Sequence, residues 1–266
     1  MSMRASELLR RGASRPALMG ILNVTPDSVS DGGQWVDPAS ARRHCFDMIE
    51  QGADIIDIGG ESTRPGAEPV PEDTEMQRVI PALEAVSDCT VPISVDTMKA
   101  PVARAAVERG ASIINDVSGL ADPAMAATAA ELDVPLVLMS SYGTPATFKT
   151  QFIPGDPVRY ACDMLVDLIR KAMDAGVKEH NIIIDPGVGF GTTPEQGMEM
   201  ILHTSEFSFG KYPVLIGPSR KRFLAKTYPQ LDADSATAEV CVLAAEHGAD
   251  ILRVHDVSAT ASRFRV

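Results

Sequence analysis

The 266-residue chain carries 24 Lys and Arg against 36 Asp and Glu, a formal net charge of −12, with 45% hydrophobic but only 5% aromatic residues. That acidity argues against non-specific binding to nucleic acid or to an acidic membrane surface, and no apolar run is long enough to span a bilayer. The low aromatic content suits a core of Ala, Val, Ile and Leu in an α/β protein better than an aromatic-rich sandwich.

No secretory signal pattern opens the chain. Cys45, Cys89, Cys162 and Cys241 are scattered without CxxC spacing, so free thiols and a cytoplasmic location are expected rather than a zinc or redox site. Residues 1–15 read as a short charged segment, helical or frayed. Leu18–Val24 is an apolar, partly β-branched run that predicts a strand. It passes through Asn23 into a long polar loop, 24–36, rich in Asp, Ser and Gly. A helix is expected over Pro38–Gln51, closed by Gly52, and then strand Ala53–Gly59, a Gly- and Pro-dense loop and helix Thr74–Val86. The cycle repeats as strand Pro92–Asp96 with a helix over Lys99–Arg109, strand Ser112–Val117 with a helix over Pro123–Leu132, and strand Pro135–Met139 with a long helix ending near Ala175. Strand Asn181–Asp185 leads to a helix from Pro194. Strand Tyr212–Gly217 leads through a basic loop to a helix over Asp234–His247, and strand Ala249–Val254 runs close to the end.

Eight strand–helix cycles with strands apolar along their length predict strands buried on both faces, hence parallel strands with helical crossovers. Eight units in about 250 residues fit a (β/α)8 TIM barrel, one domain over 1–266 with a shortened final helix; a doubly wound open sheet is the runner-up. In such a barrel the site lies at the C-terminal strand ends. Those ends carry Asn23, Asp57 with Glu61, Asp96, Asn115 with Asp116, Met139 with Ser140, Asp185, Ser219 with Lys221, and Arg253 with His255. Buried carboxylates and amides cost desolvation unless a ligand or partner satisfies them. Asp96, Asn115 and Asp185 suit a flat heterocycle with ring N–H groups; Arg64, residues 219–222, Arg253 and His255 suit a phosphate or diphosphate. Asn23 with Asp27 or Asp31 could help hold a hydrated Mg2+. Plainer readings stand beside these. Asp96 could cap the helix near Lys99, Asp185 could cap a turn at Pro186, and Arg64 could be a solvated loop cation. The glycine-rich 187–191 run is not a dinucleotide fingerprint, since no GxGxxG opens a helix there.

The chain resembles the dihydropteroate synthase family from Met19 to Val257, through MGILNVTPDSVSDGG, GADIIDIGGESTRPGA, PISVDT, SIINDVSG, the GTP of 143–145, IIIDPGVGFG, GPSRKRF and ILRVHDV in order. The resemblance implies a transferase of folate biosynthesis that joins p-aminobenzoate to 6-hydroxymethyl-7,8-dihydropterin diphosphate, releasing diphosphate, with Mg2+ as cofactor. It implies a pterin set of Asp96, Asn115, Met139, Asp185, Gly217 and Lys221, and a diphosphate set of Asn23, Arg64, Arg253 and His255 with Asn23 near the metal. Thr63, Arg64, Pro65, Phe190, Ser219 and Lys221 look like the p-aminobenzoate surroundings; Asp96, Asp185, Lys221 and Arg253 look like the catalytic residues. Loops 24–36 and 59–72 are expected to close over the site. A homodimer is left open. The chain departs from the usual pattern at Val29, Ser140, Thr192, Pro218 and Arg222, and in its short final helix. The alternatives are a synthase using another arylamine, a pterin-binding methyltransferase-type domain and a non-catalytic paralogue; the SRK and RVH motifs speak against the latter two.

Overall fold

The computed structural model describes residues 15–25, 37–63, 66–144, 147–148 and 150–264. The expected N-terminal segment, most of the first loop with Asp27, Val29 and Asp31, and Arg64 and Pro65 therefore lie outside the described residues. Eight parallel strands are present: β1 Ala17–Asn23, β2 Ile55–Gly59, β3 Ile93–Asp96, β4 Ile113–Asp116, β5 Leu136–Met139, β6 Ile182–Asp185, β7 Leu215–Ile216 and β8 Ile251–Val254. Their order is β6-β5-β4-β3-β2-β1-β8-β7, and an isolated parallel bridge between Ile184 and Val214 joins the two ends. The sheet thus closes into the expected barrel.

Helices α1 Pro38–Gln51, α2 Glu72–Ala85, α3 Ala100–Val107, α4 Met125–Leu132, α5 Pro157–Asp174, α6 Pro194–Leu202, α7 Arg222–Thr227, α8 Ala233–Glu246 and α9 Val257–Ser262 follow the strands. Local chemistry sets their ends. Asp156 accepts from the Val158 and Arg159 N–H groups at the start of α5, Thr193 and Gln196 form a capping box on α6, and Gly52 ends α1 at φ +110. Among the described residues no helix is long and apolar enough to cross a membrane.

The strands are buried on both faces, as expected from sequence, and their side chains alternate between two surroundings. Outward residues such as Ile56, Ile58, Val95, Ile114, Leu138 and Ile184 pack in the layer beneath the helices. Inward residues Ala17, Met19, Ile55, Ile113, Val137, Ile183, Leu215 and Ile251 form a separate apolar plug inside the barrel. Two residues further along each strand the inward positions become Ile21, Asp57, Asn115, Met139, Asp185, Gly217 and Arg253, because successive strand side chains face opposite sides. A polar layer therefore rests on an apolar one. Strand β7 is shorter than expected; Val214 just before it keeps an isolated bridge to Ile184, and its N–H goes to the Asp250 side chain at 2.9 Å. The short α7 within the expected basic loop is an addition to the sequence reading.

Candidate active site

The polar layer opens into a cavity of about 570 Å3 at the C-terminal ends of the strands. Asn23, Thr63, Asp96, Asn115, Met139, Asp185, Phe190, Gly217, Ser219, Lys221, Arg253 and His255 all line it, drawn from the ends of the eight strands and the loops after them. Arg64 and Pro65, outside the described residues, cannot be placed beside them.

Arg253 is the centre of the floor. Its Nε donates to Asp57 Oδ2 and one Nη to Asp96 Oδ2, both at 2.6 Å, while Asn115 Nδ2 donates to the same Asp57 oxygen at 3.1 Å. Burial opposes the guanidinium charge, but Asp57 and Asp96 outweigh it and hold Arg253 above its ordinary value. Burial pushes the Asp96 carboxyl up to about 7, with Arg253 pulling it down and Asp57 adding repulsion. The helix-capping reading of Asp96 fails: α3 has no side-chain cap, and Asp96 is engaged inside the barrel.

Asp185 and Lys221 form the opposite wall. Asp185 Oδ1 accepts the Gly187 N–H at 2.7 Å, so the turn-capping reading is correct for one oxygen and leaves the other to the cavity side. Burial raises its pKa, partly countered by Lys221. The Lys221 ammonium lies 4.1 Å from the centre of the Phe190 ring and donates to the Val188 carbonyl. Burial pushes it down to about 7 against the attraction of Asp185. Gly189, at φ +89, makes room for that side chain: a Cβ there would fall 2.5 Å from Lys221 Cδ.

The basic stretch 219–222 divides by direction. Ser219 Oγ accepts the His255 backbone N–H at 3.1 Å and meets His255 Nδ1 at 2.9 Å. Arg220, in the left-handed region at φ +55, instead turns its guanidinium to Asp234 in a two-pronged pair at 2.7 and 2.8 Å. Arg222 reaches the Phe148 carbonyl at 3.4 Å, and Phe148 meets Phe190 edge to face at 5.3 Å. Asp116, read from sequence beside Asn115, faces away from the barrel and accepts from Ser118 and Leu120.

Sequence reasoning leaves Asp57, Glu61, Ile21, Val117 and Phe148 out of the binding set. Asp57 is detectable by counting in twos from inward Ile55; Phe148 lies in an irregular loop with no periodic signal. Thr192, one of the departures from the pattern the chain resembles, lines the cavity and accepts the Gly189 N–H at 3.0 Å.

A family model described as "Pterin binding enzyme" matches residues 19–255. The dihydropteroate synthase of Bacillus subtilis (strain 168) is 50% identical over 248 residues, covering 90% of this chain and 83% of that protein. A probable bifunctional folylpolyglutamate synthase/dihydropteroate synthase of Haloferax volcanii is 44% identical over 242 residues, which is 91% of this chain but 29% of that longer protein. Among solved structures, Xanthomonas albilineans dihydropteroate synthase with 4-aminobenzoic acid superposes with a TM-score of 0.87 at 41% identity, over 94% of this chain and 91% of that one. The chain belongs to the pterin binding enzyme family, among the dihydropteroate synthases.

Proposed function

We propose that the cavity binds a dihydropterin diphosphate and an arylamine, p-aminobenzoate, and joins them to give 7,8-dihydropteroate and diphosphate. The observation that carries this reading is the acceptor-rich floor over the apolar plug. Asp96, Asp185 and the Asn115 Oδ1, which has no hydrogen-bond partner among the described residues, offer acceptors at the depth of a flat ring. Ring N–H and amino groups of a pterin are the complementary donors, with Met139 against one face.

In the reaction the arylamine nitrogen lone pair forms the new C–N bond to the pterin methylene. The C–O bond breaks, its electron pair leaves on the diphosphate oxygen, and the proton shed by the nitrogen is taken up by the released diphosphate. Positive charge growing on the methylene and ring is stabilised by Asp96 and Asp185 in a site that excludes water. Arg253 uses two of its N–H donors on the floor and has others to offer the diphosphate; His255 and Asn23 join it at the rim. Phe190, Thr63, Ser219 and the Lys221 ammonium surround the arylamine. The amine is nucleophilic without a strong base.

The residues present fit a hydrated Mg2+ travelling with the diphosphate. Asn23 Oδ1 and Asp96 Oδ2 each lie 3.6 Å from where a Cβ on Gly59 would be, so the glycine keeps that space open. Among the described residues no cluster of three or more His, Cys, Asp or Glu is arranged to hold a metal. Asn23 would hold it, and the ion would supply positive charge beside the leaving group. The free thiols support a reducing, cytoplasmic setting. The test mixes the purified protein with the dihydropterin diphosphate, p-aminobenzoate and Mg2+ and follows diphosphate release. Release that requires p-aminobenzoate is expected; binding without turnover would overturn the reading.

A further inference from the structure

Beside the cavity lies a charged cluster that the chemistry above does not use. Lys99, the residue before α3, donates from its ammonium to Glu61 and, at 2.6 Å, to Glu75. Glu75 is wholly buried in the first turn of α2, and Glu61, 7% exposed, follows β2 and lines the cavity. Burial pushes the Glu75 carboxyl up, against Lys99 and Thr97 beside it. One carboxylate would be enough to pair with the ammonium, yet the second comes from the cavity wall itself.

The backbone between them is held from a second side. Arg78 of α2 donates to the Gly60 carbonyl at 2.8 Å. Any side chain at Gly60 would collide there, since its Cβ would fall 2.7 Å from Val79 and 3.1 Å from the Glu75 backbone oxygen. The exit of β2 is therefore fixed by α2 and, through Lys99, by the turn three residues beyond Asp96. Ser62 and Thr63 continue from this fixed point along the cavity wall.

The geometry points to Lys99 as a positioning residue for the second substrate: through Glu61 it sets the Ser62–Thr63 wall against which the arylamine rests. This inference depends on the proposed substrates. Lys99 touches none of the reacting atoms; it acts through Glu61, and Glu75 anchors it. A buried ammonium–carboxylate pair kept only for stability would have no reason to distinguish between the two substrates.

The test is steady-state kinetics on the full chain, each substrate varied at saturating levels of the other, for wild type, Lys99→Met, Lys99→Arg and Glu61→Gln. Lys99→Met is expected to raise KM for p-aminobenzoate by about tenfold or more while that for the dihydropterin diphosphate moves by less than about threefold, and Lys99→Arg to restore most of the difference. Equal changes in both KM values, or none, would overturn the role. Should Lys99→Met fail to fold, Glu61→Gln, which leaves the buried Lys99–Glu75 pair in place, decides by the same ratio. The two readings stay separable, because absent wild-type product overturns the reaction, whereas an unchanged ratio in the variants of an active enzyme overturns only the part played by Lys99.

Discussion

Removing the shared cation of the floor, Arg253→Met, tests the electrostatic account most directly. The guanidinium makes two charge-assisted hydrogen bonds of 2.6 Å to carboxylates that are 0% and 7% exposed. Bonds of this kind contribute about 1.5–3 kcal/mol each, and taking one partner from a buried ion pair costs about 3–5 kcal/mol. The sign of the pH dependence follows from Asp96. Its folded pKa, about 7, lies above the ordinary 3.8, so the stability linked to its protonation is full below 3.8 and lost as pH rises through 7. Near pH 5.5 Asp96 is mostly protonated in both proteins, and the variant loses chiefly the contact with Asp57. Near pH 8 it loses both. Urea denaturation at the two pH values should therefore show a loss of about 3–5 kcal/mol near pH 8 and about half that near pH 5.5. A loss under about 1 kcal/mol at both, or one that grows on acidification, would refute the shared-cation reasoning.

Three further substitutions probe the opposite wall. Asp185→Asn or Lys221→Ala should abolish detectable product formation while circular dichroism and the unfolding transition remain native-like; turnover near that of wild type in either would contradict the proposed roles. Gly189→Ala puts a Cβ 2.5 Å from Lys221 Cδ at a φ of +89. It should cost about 1–2 kcal/mol in stability from the backbone alone and lower turnover by about tenfold or more as the ammonium is displaced, measured by denaturation and by diphosphate release.

Much of the barrel was legible because apolar runs ending at polar residues recur with helix signals between them, and Pro38, Gly52 and Pro194 mark helix boundaries by backbone chemistry alone. Parts decided by tertiary contact were not. Strand β7 spans only two residues, and the Val214 N–H just ahead of it goes to the side chain of Asp250, 36 positions away. The Asp57–Arg253 bond joins residues 196 positions apart, a pairing that no local pattern announces. Along 219–222 the sequence shows three consecutive cations; only the left-handed backbone at Arg220 sends its guanidinium to Asp234 while Lys221 enters the cavity. The site residues carried by strands were therefore readable as a group, but their pairings required the closed barrel.

The two inward layers explain how a costly site can rest in a stable fold. Asp57 Oδ1, Asn115 Oδ1 and Ser94 Oγ are buried without a hydrogen-bond partner among the described residues, and Asp96 and Lys221 are each pushed by burial toward their neutral forms. Each such group opposes folding by a kcal/mol or more on the order of unsatisfied buried polar atoms. The offset comes from elsewhere: the plug of Met19, Ile55, Ile113, Val137, Ile183, Leu215 and Ile251 below, and the larger apolar layer under the helices outside. Neither layer depends on the charges above it. Substitutions that neutralise Asp185 or Lys221 should therefore spare the fold, whereas removing Arg253 should not, because it bridges Asp57 and Asp96, the two buried carboxylates of the floor. Stability and activity are separated by one step of two residues along the same strands.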